Sequence, residues 1–162
     1  MKFIVEESLG KLAKNLRILG YDTTLARSLS TDAIITLANR QSRVFLTRSR
    51  KIAKSQKKFS RRLLKSVQSE QQLLELKDML QYRPELLLTR CLQCNSRLLT
   101  TTQTPANLPE YIKSHFQEFH YCPQCQKYYW RGSHYRQMQN KMQQIFMSTA
   151  KAEITETEKR QS

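Results

Sequence analysis

Four cysteines stand in two identical spacings, Cys91-Leu-Gln-Cys94 and Cys122-Pro-Gln-Cys125, and the chain has no other. A Cys-x-x-Cys loop can aim two thiolates at one tetrahedral ion, and two such loops complete a Cys₄ zinc site. The same spacing also suits a pair of disulfides in a small secreted domain, or a redox-active dithiol. Zinc is the favoured reading, because Glu6, Glu7, Lys11 and Lys14 interrupt any apolar leader at the N-terminus. Four thiolates leave no coordination position open for water or substrate, so such a zinc is structural. It would supply most of the folding energy of a segment with little core of its own. Zinc-binding thiolates must stay reduced, and the cytoplasm is the compartment that keeps them so.

Carboxylates form the second set of candidates. Glu6 and Glu7 follow the first apolar run, Asp32 follows the second, and Glu70 follows the fourth. If these acids converge, they can hold Mg²⁺ or Mn²⁺ through oxygen ligands for phosphodiester hydrolysis. A plainer role exists for two of them: Asp32 and Glu70 sit in predicted first helical turns, where the helix dipole favours an acid. Of the adjacent Glu6 and Glu7, one is expected to face solvent. Asp22 is expected at the other end of the sheet as a turn residue.

The elements that would position these groups alternate. Lys2-Phe-Ile-Val5 reads as a buried strand, and Ser8 as the N-cap of a helix from Leu9 to Leu19. In that helix Leu9, Leu12, Ala13, Leu16 and Leu19 recur at helical spacing, and Gly20 ends it in a left-handed cap. Thr23–Ala26 is a second strand, Ser30-Thr-Asp32 opens a second helix, and Arg43–Thr47 is the clearest strand. Ser49 then caps a basic helix over Arg50–Phe59, Leu63–Val67 is a fourth strand, and a helix begins at Ser69. Strand and helix thus alternate four times, which predicts an α/β domain with a parallel sheet covered on both faces.

Pro84 marks a boundary, so residues 1–82 form the α/β domain and residues 83–147 a zinc ribbon with a C-terminal helix. Leu86–Thr89 is expected to be a strand feeding the first cysteine pair. Pro109–Phe119 is expected to be a short helix, Lys127–Trp130 to be extended, and Ser133 to cap a last helix reaching about Met147. Residues 148–162 lack apolar periodicity and are expected to be a flexible tail.

Charge points to the partner. Lys and Arg number 28 against 13 acids, a net charge of +15. Between Asp32 and Glu70 there is no acid, while Arg40, Arg43, Arg48, Arg50, Lys51, Lys54, Lys57, Lys58, Arg61, Arg62 and Lys65 all occur. Solubility would be served as well by mixed signs, so a polyanion, and nucleic acid ahead of a membrane surface, is the expected partner. Arg48, Arg50, Lys51, Lys54, Lys57, Lys58, Arg61 and Arg62 are the candidate phosphate ligands. In the ribbon, Tyr128, Tyr129, Trp130, His134 and Tyr135 offer stacking faces, with Arg131 and Arg136 for phosphates. The plain alternative is that these aromatics pack the ribbon against the sheet. No apolar run approaches the ~18 residues of a membrane span.

Four motifs in register carry a resemblance: Met1–Asp22, Val44-Phe-Leu-Thr-Arg-Ser-Arg50, Thr89-Arg-Cys-Leu-Gln-Cys-Asn95, and Cys122-Pro-Gln-Cys125 followed by Tyr129-Trp-Arg-Gly-Ser-His134. Together they resemble the Mut-seven C-terminal ribonuclease domain family from Met1 to about Met138. The resemblance implies a PIN-like nuclease fold with three layers, a C-terminal Cys₄ zinc ribbon, and a metal-dependent ribonuclease. It also exposes departures. The family usually carries Asp where this chain has Glu6, and another Asp where it has Ser49. A neutral hydroxyl cannot replace an anionic metal ligand. Two functions stay open on this reading: a ribonuclease using Mg²⁺ or Mn²⁺, and an RNA- or ribonucleoprotein-binding module on the same scaffold that no longer cuts.

Overall fold

The computed structural model describes residues 1–103 and 108–147. Four strands, β1 (Lys2–Glu6), β2 (Asp22–Ala26), β3 (Val44–Thr47) and β4 (Arg61–Leu63), form one sheet. Their order is β2-β1-β3-β4 and every pair is parallel, in the register Lys2↔Asp22, Phe3↔Val44 and Phe45↔Arg61. Alternate residues of β1 explain the layers. Phe3 and Val5 join a core with Leu12, Leu16, Leu73 and Leu76, from helices α1 (Gly10–Ile18) and α4 (Ser69–Glu75) and the turn after α4. Ile4 faces the opposite side with Ile34, Ala38 and Phe45, under α2 (Thr31–Arg40) and beside Ile52 of α3 (Arg50–Ala53). The expected α/β sandwich of three layers is thus present. Leu12 and Leu16 are fully buried, each contributing roughly 1.5–3 kcal/mol of apolar burial.

Several boundaries differ from the sequence expectation. Ser8 does not cap α1; it lies inside a 3₁₀ turn over Glu7–Leu9 that runs straight into the helix. The basic helix stops at Ala53 instead of Phe59, because the Arg61 guanidinium takes the carbonyls of Ala53, Ser55 and Lys57. The fourth strand is Arg61–Leu63, not Leu63–Val67. The amides of Lys65 and Ser66 donate to the Glu75 carboxylate, which draws the chain off the sheet and leaves Val67 exposed. Ser49 does cap α3, accepting from the Ile52 amide at 3.4 Å.

The three leucines before the first cysteine form a turn, not the expected strand. A 3₁₀ turn over Pro84–Leu86 leads to Leu88 at φ +54°, a left-handed conformation unusual for a branched residue. Burial of Leu87 and Leu88 and a bond from the Leu88 amide to the Ile18 carbonyl (2.8 Å) hold it there. Gly20, at φ +85°, ends α1 in a Schellman motif: Tyr21 N donates to Leu16 O and Gly20 N to Arg17 O. A Cβ at Gly20 would sit 2.4 Å from the Leu86 carbonyl oxygen, so only glycine admits this turn.

The ribbon is a small antiparallel sheet of β5 (Leu99–Thr101), β6 (Phe119–Tyr121) and β7 (Tyr128–Tyr129), with α5 (Glu110–His115) between β5 and β6. Phe119, expected inside a helix, is a buried strand residue. The last helix, α6 (Ser133–Met147), begins with Ser133 as a helical residue, its first turn closed by Arg136 N on the Gly132 carbonyl. It returns to the sheet domain: Met142 is buried in the core beside α4, Tyr82 stacks on Phe146, and Lys141 pairs with Glu70 at 2.6 Å. The tail expected over 148–162 lies outside the described residues. Among the described residues no helix is long and apolar enough to cross a membrane.

Candidate metal centre and nucleic-acid interface

Both Cys-x-x-Cys loops fold into the same knuckle. Asn95 N donates to Cys91 O and Cys91 N to Ser96 O; Gln126 N donates to Cys122 O and Cys122 N to Lys127 O. Asn95 (φ +74°) and Gln126 (φ +55°) make the left-handed turn in each. The four Sγ atoms consequently lie within 4.8 Å of one another, with Cys94 and Cys122 Sγ 3.4 Å apart. No disulfide links them. Four sulfurs at such distances, from two knuckles, fit a tetrahedral zinc.

Electrostatics at the cluster favour a cation. Burial opposes ionisation of Cys94, yet hydrogen bonds from Ser96 and neighbouring thiols hold its thiol at about 6. Cys125 is pushed up to about 12, chiefly because it shares a hydrogen bond with Cys94. Burial and the other thiols likewise raise Cys122, while hydrogen bonds lower Cys91. Hydrogen bonds shared among the four sulfurs thus favour charge on Cys91 and Cys94 and a proton on Cys122 and Cys125, and a bound cation would compensate the charge of all four. Tyr129 OH lies 3.2 Å from Cys91 Sγ. Burial and that thiol raise the tyrosine above its usual range, so its hydroxyl keeps its proton beside the sulfur.

The first knuckle is bolted to the sheet. Arg17, 6% exposed, donates to Leu92 O (3.0 Å), Gln93 O (2.9 Å) and Thr23 O (3.0 Å). Asn95 Oδ1 accepts from Thr23 N, and its Nδ2 donates to Asp22 Oδ1 at 2.8 Å. Asp22 also pairs with Arg43 at 2.8 Å and Arg90 at 3.8 Å. Burial would raise its carboxyl, but the bonds from Arg43 and Asn95 prevail and lower it. Asp22, placed by sequence at a turn, is therefore the anionic centre of the junction. Most of the contacts in this network are distant in sequence, and no local pattern announces it.

At the carboxyl end of the sheet, Glu6 terminates β1. Its Oε2 accepts from Thr47 Oγ1 (2.6 Å) and from Arg48 N (2.9 Å), and Thr47 Oγ1 accepts from Ser49 N (2.9 Å). Burial works against its charge, but these bonds, with Ser8 and the Arg48 cation, lower its pKa. Glu6 is thus an ionised anchor for the β3–α3 turn. Thr47, fully buried, was not singled out in the sequence, where it reads as an ordinary strand residue.

The other candidate carboxylates do not gather around Glu6. Glu7 accepts from Ser28 N at 3.2 Å. Asp32 is paired with Lys57 on the α2 side of the sheet, and Glu70 with Lys141 on the α4 side. Ser49 supplies a hydroxyl engaged in capping. Among the described residues the cysteines are the one group of three or more side chains placed to hold a metal ion. Among the described residues Glu6, Glu7, Asp32 and Glu70 form no cluster of three or more ligand atoms around one point.

The candidate phosphate ligands divide by engagement. Arg48, Arg50, Lys51, Lys54 and Lys58 are exposed along the turn after Glu6 and through α3 and its exit. Lys57 is tied to Asp32. Arg61 is spent on backbone carbonyls and stacks over Phe59, and Arg62 pairs with Asp78 at 3.0 Å. Arg131 and Arg136 are exposed at the start of α6 and just before it. Trp130 packs on Phe116 inside the ribbon, with ring centroids 6.4 Å apart.

A family profile described as the Mut7-C RNAse domain matches residues 1–142. No curated protein and no solved structure matches the chain. The match spans the parallel sheet, both cysteine knuckles and most of the closing helix, and the chain belongs to the Mut7-C RNAse domain family.

Proposed function

We propose that this ribonuclease-domain protein acts on RNA by holding a single strand along the carboxyl edge of its parallel sheet, with a structural zinc fixing the ribbon beside it. The observation that carries this reading is the acid-free segment from Ala33 to Ser69, whose exposed Arg48, Arg50, Lys51, Lys54 and Lys58 follow directly on the Glu6 loop. Cations along one strip neutralise successive phosphates and release counterions, which gives affinity without sequence readout. The lysine partners of Asp32 and Glu70 remove negative charge that would repel the strand.

A second reading, metal-dependent cleavage, is favoured by one observation: Glu6 is held ionised at the sheet edge where such chemistry collects. Labelled single-stranded RNA incubated with the purified protein, with and without Mn²⁺ or Mg²⁺, separates the two. The expected result is salt-sensitive retention of intact RNA. Cleavage that requires the divalent ion and disappears in Glu6→Gln would replace binding with hydrolysis as the function.

A further inference from the structure

The basic strip beside the sheet leaves a second acid-free stretch unexplained. From Phe119 to Met147 the chain carries Lys127, Arg131, Arg136 and Lys141 and no carboxylate, interleaved with aromatic residues. In space Tyr128, Tyr129, Trp130, His134 and Tyr135 of this stretch line a groove of about 430 Å³ between α5, β7 and the start of α6, within the range of small-ligand sites. Its walls include Tyr111, Ile112, Phe116, Trp130, Tyr135 and Arg136.

The groove is built around ring faces. Trp130 leans on Phe116, and its indole lies so close to Gly132 that a Cβ there would come within 2.8 Å of Nε1. Tyr111, 64% exposed at the mouth, lies tilted against His115 with centroids 4.1 Å apart. The Arg131 guanidinium lies over the Tyr135 ring at 5.9 Å. An apolar wall alone would suit many occupants. Here Arg136 lines the groove, exposed Arg131 lies over the ring of its wall residue Tyr135, and Glu110 on the α5 side is paired with Lys113 at 2.8 Å, so the complementary ligand joins a flat apolar face to an anion. An unpaired nucleotide has that composition.

We propose that this groove takes an unpaired base of single-stranded RNA, stacked on its aromatic wall, with Arg131 and Arg136 on the flanking phosphates. The inference rests on the RNA reading above and adds a base-binding site separate from the backbone strip. Trp130 is the chain's single tryptophan, so its fluorescence reports on this groove alone. The full chain is titrated with a short oligouridylate and, in parallel, with inorganic polyphosphate, which has charge but no bases. Oligouridylate is expected to quench Trp130 and polyphosphate is not. Tyr111→Ser, an exposed substitution, is expected to weaken oligouridylate binding by roughly tenfold and leave polyphosphate binding unchanged. His134→Ser, also exposed at the groove, serves as a second variant expected to reduce the quenching. RNA that binds without quenching, and with equal affinity to Tyr111→Ser, overturns the groove while the RNA reading stands. Quenching by an amphipathic peptide but not by RNA overturns it in favour of a protein ligand. A chain that binds no RNA overturns both.

Discussion

The Arg17 guanidinium, on the helix that follows the first strand, donates to the Gln93 carbonyl inside the first cysteine knuckle at 2.9 Å. A cation from the sheet domain thereby fixes the loop that presents Cys91 and Cys94, and the two parts of the molecule share one set of hydrogen bonds. Burial depresses the basicity of this arginine, while the neighbouring Cys91 and Cys94 sulfurs favour its charge. Replacing it with an apolar residue of similar length strands the carbonyls of Thr23, Leu92 and Gln93.

Arg17→Met is therefore expected to lower stability by about 3 kcal/mol and to weaken zinc binding in the same variant. Thermal denaturation followed by circular dichroism, with zinc retention measured by a metallochromic dye, checks both. Lost stability with undiminished zinc affinity would show that the arginine serves the sheet alone.

Tyr129→Phe removes the hydroxyl beside Cys91 Sγ and keeps the ring. Outer-shell partners of this kind tune metal affinity by about 10–100-fold. The wild-type chain is expected to bind about one zinc, and the variant to release it at a lower chelator concentration. An unchanged chelator midpoint would mean that the hydroxyl contributes only packing.

Asp22 and Glu6 both have carboxyl groups lowered by folding. A depressed folded pKa contributes stability that is complete above the unfolded value, about 3.9 for Asp and 4.3 for Glu, and is lost as pH falls through the folded value. Stability should accordingly decline as pH falls below about 4. Asp22→Asn should be less stable near neutrality and show a shallower decline. Thiol protonation releases zinc from both proteins in acid, so the difference between their denaturant midpoints from pH 3 to 7 isolates the carboxylate. Parallel curves would contradict the assignment.

Lys51, Lys54 and Lys58 are exposed and lie on or just after α3. Changing all three to alanine should leave the fold intact and reduce the slope of log affinity against log salt by about 2 for single-stranded RNA, at about 0.7 per phosphate contact. Fluorescence anisotropy at several salt concentrations gives the slope. An unaltered slope would move the strand off this edge.

The sequence carried the parallel sheet and the clustering of the four cysteines because both rest on local signals. The leucines of α1 recur at helical spacing, Gly20 marks its end, and the cysteine spacing repeats. Three departures from the sequence expectation are caused by residues outside the segments concerned. The expected helix after Ser49 contains no acid of its own to pair its lysines, and Arg61 claims carbonyls at its end from the next strand. The Leu63–Val67 run looked like a strand, but Glu75 takes two of its amides. Leu86–Thr89 has strand composition, yet its backbone must turn under the end of α1 to meet Ile18. The candidate carboxylates were visible as residues; their lysine partners, distant in sequence, were not.

Met142 reaches the core beside α4 only after the chain has passed through both cysteine knuckles. The ribbon is thus interposed between two segments of one hydrophobic core. During synthesis from the N-terminus, the sheet and its first helices leave the ribosome with the surface under Met142 uncovered. A zinc held by the four cysteines would shorten the path by which the last helix finds that surface. Metal supply during translation, as well as in the finished protein, would then set how long the nascent sheet domain is exposed to aggregation.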